Sequence, residues 1–332
     1  MISTLLALAA VCAAVITALL GRFLIPFLHK VHFGQTIREI GPSWHKSKQG
    51  TPTMGGIMFI SGGLVSAVIF LCFLWQNGGA ETQLMLVKLV AGILMAVAFG
   101  LVGFFDDFIG IKKGRNLGLT EIQKLILQFI IAGAYLLSVS LAGGTTETII
   151  PFIGTVDFGV FYYIIAAIGI VGMVNAVNIH DGVDGLCSSV TAVVCLAFSI
   201  MGLLLGVNSL PIFAMAVFGA LIGFLFWNWN PAKVFMGDTG SLFLGGVVCA
   251  LAFGMDRPIL LPLMGIIYVV EIMSVVIQVT YFKATHGKRI FKMSPIHHHF
   301  ELCGWKEVKI CFVFSAVTVI ACLLSVMMAY FG

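Results

Sequence analysis

The chain has 332 residues, of which 60% are hydrophobic and 10% are charged, and its mean hydropathy is +1.10. Soluble domains carry roughly 25% charged residues, so this composition excludes a water-soluble globule. The formal net charge of +4 comes from Lys and Arg residues in a few loops, and we therefore expect no nucleic-acid partner.

Apolar stretches predict an all-α integral membrane protein with about ten transmembrane helices, since about 20 apolar residues cross a bilayer. The predicted spans cover residues 3–28, 54–75, 85–105, 122–142, 159–178, 185–206, 210–228, 239–255, 258–282 and 309–331. The ninth is long and contains Glu271 and Gln278, so it should be tilted or bent. Residues 143–158 alternate apolar and polar side chains around Pro151 and Gly154, which predicts a short external β-hairpin.

The loops after spans one, three, seven and nine hold most of the Lys and Arg residues, among them Lys46, Lys113 and Arg115. Basic loops stay in the cytoplasm. Because ten spans return the chain to its starting side, we expect both termini outside.

Five aspartates fall on the predicted cytoplasmic face. Asp106 and Asp107 end span three, Asp181 and Asp184 lie between spans five and six, and Asp238 begins span eight. Like charges repel, and partial burial strengthens the repulsion. A divalent cation or a set of lysines would neutralise them.

The adjacent carboxylates of Asp106 and Asp107 could share a metal ion or divide base and metal-binding roles. The alternative is a pair of solvated acids at the membrane boundary. The first of them follows a long apolar run, which favours function.

Residues 175–186 read NAVNIHDGVDGL. Asn175, Asn178, Asp181 and Asp184 recur every three residues, a spacing that stacks side chains on one face of a helix. Gly182 permits close approach of a ligand. The alternative is a polar loop with helix-capping residues, and the His180 in this motif is taken as structural or incidental.

Two further motifs lie in inner loops. Residues 226–242, FWNWNPAKVFMGDTGSL, place Asp238 at a helix start, which could be a cap or could favour a phosphate or a carboxylate holding Mg²⁺. Residues 294–301, SPIHHHFE, contain three consecutive histidines that cannot share one helical face. They make a poor zinc site and suit a loop that contacts phosphate or sugar.

These motifs, in this order, resemble the polyprenyl-phosphate hexosamine-1-phosphate transferase superfamily. Within it, the PxHHHxE pattern at Pro295, His297–His299 and Glu301 is similar to the phospho-N-acetylmuramoyl-pentapeptide transferase family, over essentially the whole chain. The resemblance implies one transmembrane transferase domain, residues 1–332, in the bacterial plasma membrane with a cytoplasmic active site. Phospho-MurNAc-pentapeptide would move from UDP-MurNAc-pentapeptide to undecaprenyl phosphate, releasing UMP and forming lipid I for peptidoglycan. The resemblance also implies a homodimer among membrane lipids.

The same resemblance implies residue roles and Mg²⁺ as cofactor. Asp238 leads the metal ligands, with Asp107 and Asp181, and Phe235 stacks on uracil. Catalytic roles fall to Asp106, Asp107, Asp238 and His298. The substrate-binding residues are Lys48, Thr53, Lys124, Asn178, Asp181, Gly182, Asp184, Asn228, Phe235, Gln278, His297 and His299.

The role of Asp106 stays open between general base, nucleophile and positioning group. A phosphate monoester has a second pKa near ~6, so the acceptor is mostly dianionic at neutral pH and gains little from a base.

Three alternatives were weighed. A sister transferase for UDP-N-acetylhexosamines shares the aspartates and Mg²⁺, but the HHHxE loop disfavours it. A secondary transporter usually has its site near the bilayer midplane, where only Glu271 and Gln278 fall. A structural scaffold leaves the aspartates unexplained.

Overall fold

The computed structural model describes residues 2–30, 48, 50–79, 81–112 and 118–332. Within them, ten helices are long and apolar enough to cross a membrane, which confirms the predicted class. Lys46, Lys113 and Arg115 lie outside the described residues. The long helices are α1 (Ile2–Lys30), α2 (Gly56–Gln76), α3 (Gln83–Lys112), α4 (Glu121–Leu141), α5 (Phe161–His180), α6 (Leu186–Leu204), α7 (Ser209–Asn228), α8 (Gly237–Gly254), α10 (Ile266–Ala284) and α12 (Glu307–Phe331); two short ones are α9 (Leu261–Met264) and α11 (Ile296–Leu302).

Helix α8 is the centre of the bundle, because 83% of its membrane window is buried by the other helices. Helix α3 packs closely along it. A Cβ atom on Gly103 would lie 2.1 Å from the carbonyl oxygen of Asp238, so only glycine allows this approach. The contact brings the last turns of α3 against the first turn of α8.

The predicted hairpin is present between α4 and α5. Strands β1 (Glu147–Ile150) and β2 (Gly154–Asp157) pair antiparallel, with Glu147 opposite Asp157 and Ile150 opposite Gly154. Gly154 has φ of 103°, a conformation that glycine adopts at no steric cost.

Two predicted boundaries were wrong. The ninth span is not one helix: a 3₁₀ turn (Pro258–Leu260), α9 and α10 replace it, with a break at Gly265. Gly265 has φ of −96° and ψ of 32°, outside the α-helical range, so the expected bend becomes an interruption. Span three does not end at the aspartates, since α3 continues through apolar residues to Lys112.

Candidate active site

Asp107 caps the N-terminus of α8 from the neighbouring α3. Its Oδ1 accepts from the backbone N–H of Asp238 at 3.2 Å, and its Oδ2 accepts from the N–H and the hydroxyl of Thr239 at 2.9 and 2.6 Å. The first N–H groups of a helix have no intrahelical partner, and a carboxylate there also complements the helix dipole. Asp107 therefore holds the helix start that carries Asp238.

Lys124 links the two other carboxylates of this region. Its Nζ lies 3.0 Å from Asp106 Oδ2 and 2.9 Å from Asp238 Oδ2. Thr120 and Gln123 form a capping box at the start of α4, which sets the helix one turn before Lys124. The lysine thus neutralises acids from two helices. Lysines and a divalent cation were the two predicted means of relieving the repulsion between the aspartates.

The second oxygen of Asp238 faces α5. Asn178 Nδ2 donates to Asp238 Oδ1 at 3.0 Å and to Ser241 Oγ at 2.8 Å. Asn175, one turn earlier, donates instead to Gln128 at 2.7 Å. The predicted single face of four residues was wrong, because α5 ends at His180.

Asp181 follows the end of α5 in a turn. Within the described part of the chain its carboxylate has no hydrogen-bond or ion-pair partner, and the residue stays partly exposed. Desolvation, followed by the negative charges of Asp238, Asp107 and Asp184, raises the pKa of Asp181 to about 8. The turn therefore presents a carboxylate whose ionised form lacks a counter-charge, which a bound cation would supply.

Asp184 joins three parts of the chain. Its Oδ1 accepts from Lys48 Nζ at 2.7 Å, while its Oδ2 accepts from Asn230 Nδ2 at 3.2 Å and from the N–H of Ala232 at 3.0 Å. Lys48 also lies 2.7 Å from Glu307, the first residue of α12. Burial acts to lower the pKa of Lys48, but the two carboxylates outweigh it and raise that pKa, so the lysine stays charged.

Sequence reasoning missed Glu307 as a partner in this network. An acidic residue in the first turn of a helix is ordinary, and only the approach of Lys48 distinguishes it.

Asn228 is buried and braces the loop before α6. Its Oδ1 accepts from the N–H of Gly185 at 3.2 Å and from Ser188 Oγ at 3.1 Å, and its Nδ2 donates to the carbonyl of Val234 at 2.9 Å. Both ends of the amide are thus engaged within the protein, and its predicted substrate contact stays a prediction.

Gln278 plays a similar part on α10. Its Oε1 accepts from the N–H groups of Ile290 and Phe291 at 3.0 Å each, and its Nε2 donates to the carbonyl of Phe291 at 3.0 Å. It fixes the loop that leads to the histidines.

Phe235 and Thr53 lie side by side because their segments pair through the backbone. The Phe235 N–H donates to Pro52 at 2.8 Å, and the Gly55 N–H donates to Phe235 at 2.8 Å. The Phe235 ring is partly exposed. A Cβ atom on Gly237 would lie 2.7 Å from Thr53 Oγ1 and 2.5 Å from Asp107 Oδ2, so these loops meet at the aspartates.

The three consecutive histidines diverge, as predicted. His297 Nδ1 lies 3.0 Å from Glu271, His298 Nδ1 lies 2.6 Å from Glu301, and His299 Nδ1 accepts from a backbone N–H at 3.1 Å. His298 is partly exposed, whereas His297 is only 1% exposed.

His180, predicted to be structural or incidental, contacts the same acid as His297. Its Nδ1 lies 3.4 Å from the same Glu271 oxygen that His297 approaches. Among the described residues, one group of three His, Cys, Asp or Glu side chains has ligand atoms that all lie within 4.8 Å of one another. It consists of His180, Glu271 and His297.

The predicted metal ligands Asp107, Asp181 and Asp238 lie near one another. Their carboxylate oxygens, however, do not form a group within 4.8 Å of one another. Asp107 already uses both oxygens on α8. Mg²⁺ is typically held by one or two carboxylates together with substrate phosphates and water. Asp181 has no partner among the described residues and is the open oxygen donor, whereas Asp238 already accepts from Asn178 and Lys124 and would add a remaining lone pair.

Comparison with known proteins adds to this geometry. Residues 89–256 match the family described as glycosyl transferase family 4, and residues 48–60 match the phospho-N-acetylmuramoyl-pentapeptide-transferase signature 1. The phospho-N-acetylmuramoyl-pentapeptide-transferase of Halalkalibacterium halodurans is 44% identical over 98% of this chain and 98% of its own. The enzymes of that name from Clostridium perfringens strain 13 and Bacillus cytotoxicus are each 45% identical, over 98% and 96% of this chain and 99% and 95% of their own. The signature includes Lys48 and Thr53, and the family match includes all five aspartates.

Proposed function

Because the chain belongs to the family of phospho-N-acetylmuramoyl-pentapeptide-transferases, membrane transferases of peptidoglycan synthesis, we propose that its aspartate cluster is an Mg²⁺-dependent active site. The reaction transfers phospho-MurNAc-pentapeptide from UDP-MurNAc-pentapeptide to undecaprenyl phosphate, with release of UMP and formation of lipid I. The observation that carries the proposal is the Asp181 carboxylate, which has no partner among the described residues and lies near Asp238.

The charge of the substrates explains why these residues are needed. A diphosphate donor and a phosphate acceptor repel each other, and Mg²⁺ held at Asp181 and Asp238 would supply charge neutralisation and polarise the reacting phosphate. Lys124, between Asp106 and Asp238, adds a fixed positive charge at the same place. Phe235, partly exposed next to Thr53, supplies a ring for uracil.

Asp106 is better suited to positioning than to proton transfer. Its Oδ1 accepts from the Leu119 N–H at 2.7 Å and its Oδ2 faces Lys124, so both oxygens have donors. Attack on the donor phosphate would require the carboxylate to leave Lys124. A burst of UMP, one per active site, in the absence of any lipid acceptor would support the covalent route.

The location of the site fits a substrate anchored in lipid. The aspartates lie near the end of α3, just after α5 and at the start of α8, which is one end of the bundle. We place this end at the cytoplasmic surface of the plasma membrane because the basic loops are there, and we place both termini outside. The proposed homodimer rests on the family resemblance alone.

The test is UMP release by the purified protein with both substrates, with and without Mg²⁺. Asp238→Asn should lower the rate by a factor of about 10² or more, as expected when one electrostatic contact to the reacting group is lost. Glu121→Gln, an exposed acid at the start of α4, is the matched control and should keep the rate. Full activity of Asp238→Asn, or a preference for UDP-GlcNAc as donor, would contradict the proposal.

A further inference from the structure

Glu271 is a carboxylate inside α10 with no exposure to solvent. Burying a charge without a partner costs a large free energy, so ionisable groups in membrane spans are paired or functional. In the part of the chain that the structure describes, the side-chain partners of Glu271 are His180 and His297, whose Nδ1 atoms lie 3.4 and 3.0 Å from its Oε1.

These two histidines bracket Asp181. His180 directly precedes it, and His297 packs against the residue that follows it, since a Cβ atom on Gly182 would lie 2.2 Å from His297 Nε2. One carboxylate therefore acts on both sides of Asp181, through the His180 imidazole at residue 180 and through the packing of His297 at residue 182.

The Asp181 side chain has no such anchor of its own. Its backbone N–H donates to the Asn178 carbonyl at 3.2 Å, while its carboxylate has no partner within the described residues. Its direction therefore depends on the backbone of residues 180–182.

The cluster is better explained as a hydrogen-bond network than as a metal site. Histidines that bind metal almost always donate their second ring N–H to a carboxylate, carbonyl or water. A metal bound through the two Nδ1 atoms would need such partners at Nε2, yet the Nε2 atoms of His180 and His297 are both buried and have no partner among the described residues. The two Nδ1 atoms meeting at one oxygen are instead the arrangement of two donors on one acceptor.

We propose that Glu271 is a positioning residue of the transferase: through His180 and His297 it fixes the backbone of residues 180–182 and so directs the Asp181 carboxylate. This inference rests on the proposed cation-binding role of Asp181 and extends it to a residue of α10 that touches no substrate. His297, which the family resemblance assigns to substrate binding, then acts by packing against Gly182 in the turn.

The test uses the full-length protein and two readouts, turnover and Mn²⁺ binding measured by electron paramagnetic resonance without substrate. Glu271→Met removes the acceptor of both imidazoles, whereas Glu271→Gln keeps one acceptor oxygen. We expect Glu271→Met to lower kcat by about 10²-fold, the cost of roughly 1 Å of misplacement, and to weaken Mn²⁺ binding, with Glu271→Gln in between. Ser274→Ala, whose hydroxyl donates to the backbone carbonyl of Glu271 and not to its carboxylate, should match the wild type.

A double-mutant cycle separates positioning from general loss of stability. If Glu271 acts through Asp181, adding Glu271→Gln to Asp181→Asn should cause no further loss of Mn²⁺ affinity or kcat. Additive losses, with Asp181→Asn impaired as expected, would overturn this inference alone. Wild-type Mn²⁺ binding by Asp181→Asn would overturn the proposed role of Asp181 and this inference with it.

Metal measurements decide the test where turnover cannot be used. If Glu271→Met does not yield folded protein, Glu271→Gln and His297→Asn provide the cycle, and Mn²⁺ binding decides where kcat falls below detection. A stoichiometric transition metal in the purified protein that is lost in Glu271→Gln would also overturn the proposal, because the cluster would then be a ligand set.

Discussion

Replacing Lys124 by methionine should be among the most damaging single changes at this site. The substitution removes the ammonium group and its charge and leaves an unbranched side chain that is one heavy atom shorter. Because Nζ lies 3.0 and 2.9 Å from oxygens of Asp106 and Asp238, these two oxygens are at most about 6 Å apart. The positive charge of Lys124 thus lies between the two carboxylates and offsets their mutual repulsion.

The magnitude follows from that geometry. Two negative charges about 6 Å apart repel by about 3 kcal/mol at an effective dielectric constant of about 20. The side chains of Asp106 and Asp238 are 12% and 27% exposed, so solvent screens part of this repulsion, and about 1–2 kcal/mol of lost stability remains. The loss of kcat should be larger, about 10²–10³-fold, because the same charge faces the reacting phosphates.

The assay is UMP release at saturating substrates, together with thermal unfolding in detergent. Lys124→Arg should retain more activity than Lys124→Met, but not all of it, since a planar guanidinium does not reproduce the contacts of an ammonium. Lys309→Met, which changes an exposed lysine beside Trp305, is the control. A kcat for Lys124→Met within threefold of the wild type would refute the reasoning.

Three further predictions concern the neighbouring elements. Asp107→Ala removes the cap of α8 and should lower the free energy of unfolding by about 1–2 kcal/mol, seen as a lower melting temperature. Gly103→Ala drives a methyl group into the Asp238 backbone and should prevent stable folding, whereas Gly133→Ala, with nothing within 4 Å, should melt like the wild type. Since the pKa of Asp181 is about 8, the cation-free carboxyl is protonated below that pH. Cation binding must then displace a proton, so Mn²⁺ affinity should fall by up to about tenfold per unit from pH 8 to pH 6. Calorimetry in buffers of different ionisation enthalpy should detect the released proton, and its persistence in Asp181→Asn would contradict the assignment.

The parts of the fold that were predictable are those determined locally. Apolar length alone predicts ten spans, because the bilayer requires about 20 residues for each. The turn residues Pro151 and Gly154 predict the hairpin. The aspartates could be assigned to one face from loop charge alone, and their order along the chain carried the family resemblance.

The contacts within the site could not be predicted, because they depend on which helices lie side by side. The three-residue spacing from Asn175 to Asp184 suggested one helical face, but the helix ends at His180 and Gly185 has φ of 75°. The partners of Lys48 and Glu271 come from loops and helices far away in the chain. Glu271 had one available signal, a carboxylate inside an apolar span, which predicted a bent span and a midplane position but no contact with the aspartate loop.

Helix α4 connects this site to its lipid surroundings. Only 22% of its membrane window is buried by the rest of the protein, compared with 83% for α8, yet it carries the lysine that sits between two active-site acids. Where the exposed face of α4 meets lipid, hydrocarbon thickness bears on the tilt of this helix more than on that of the enclosed α8. We therefore expect lipid chain length to affect the position of the Lys124 ammonium, and turnover to differ between short-chain and long-chain vesicles.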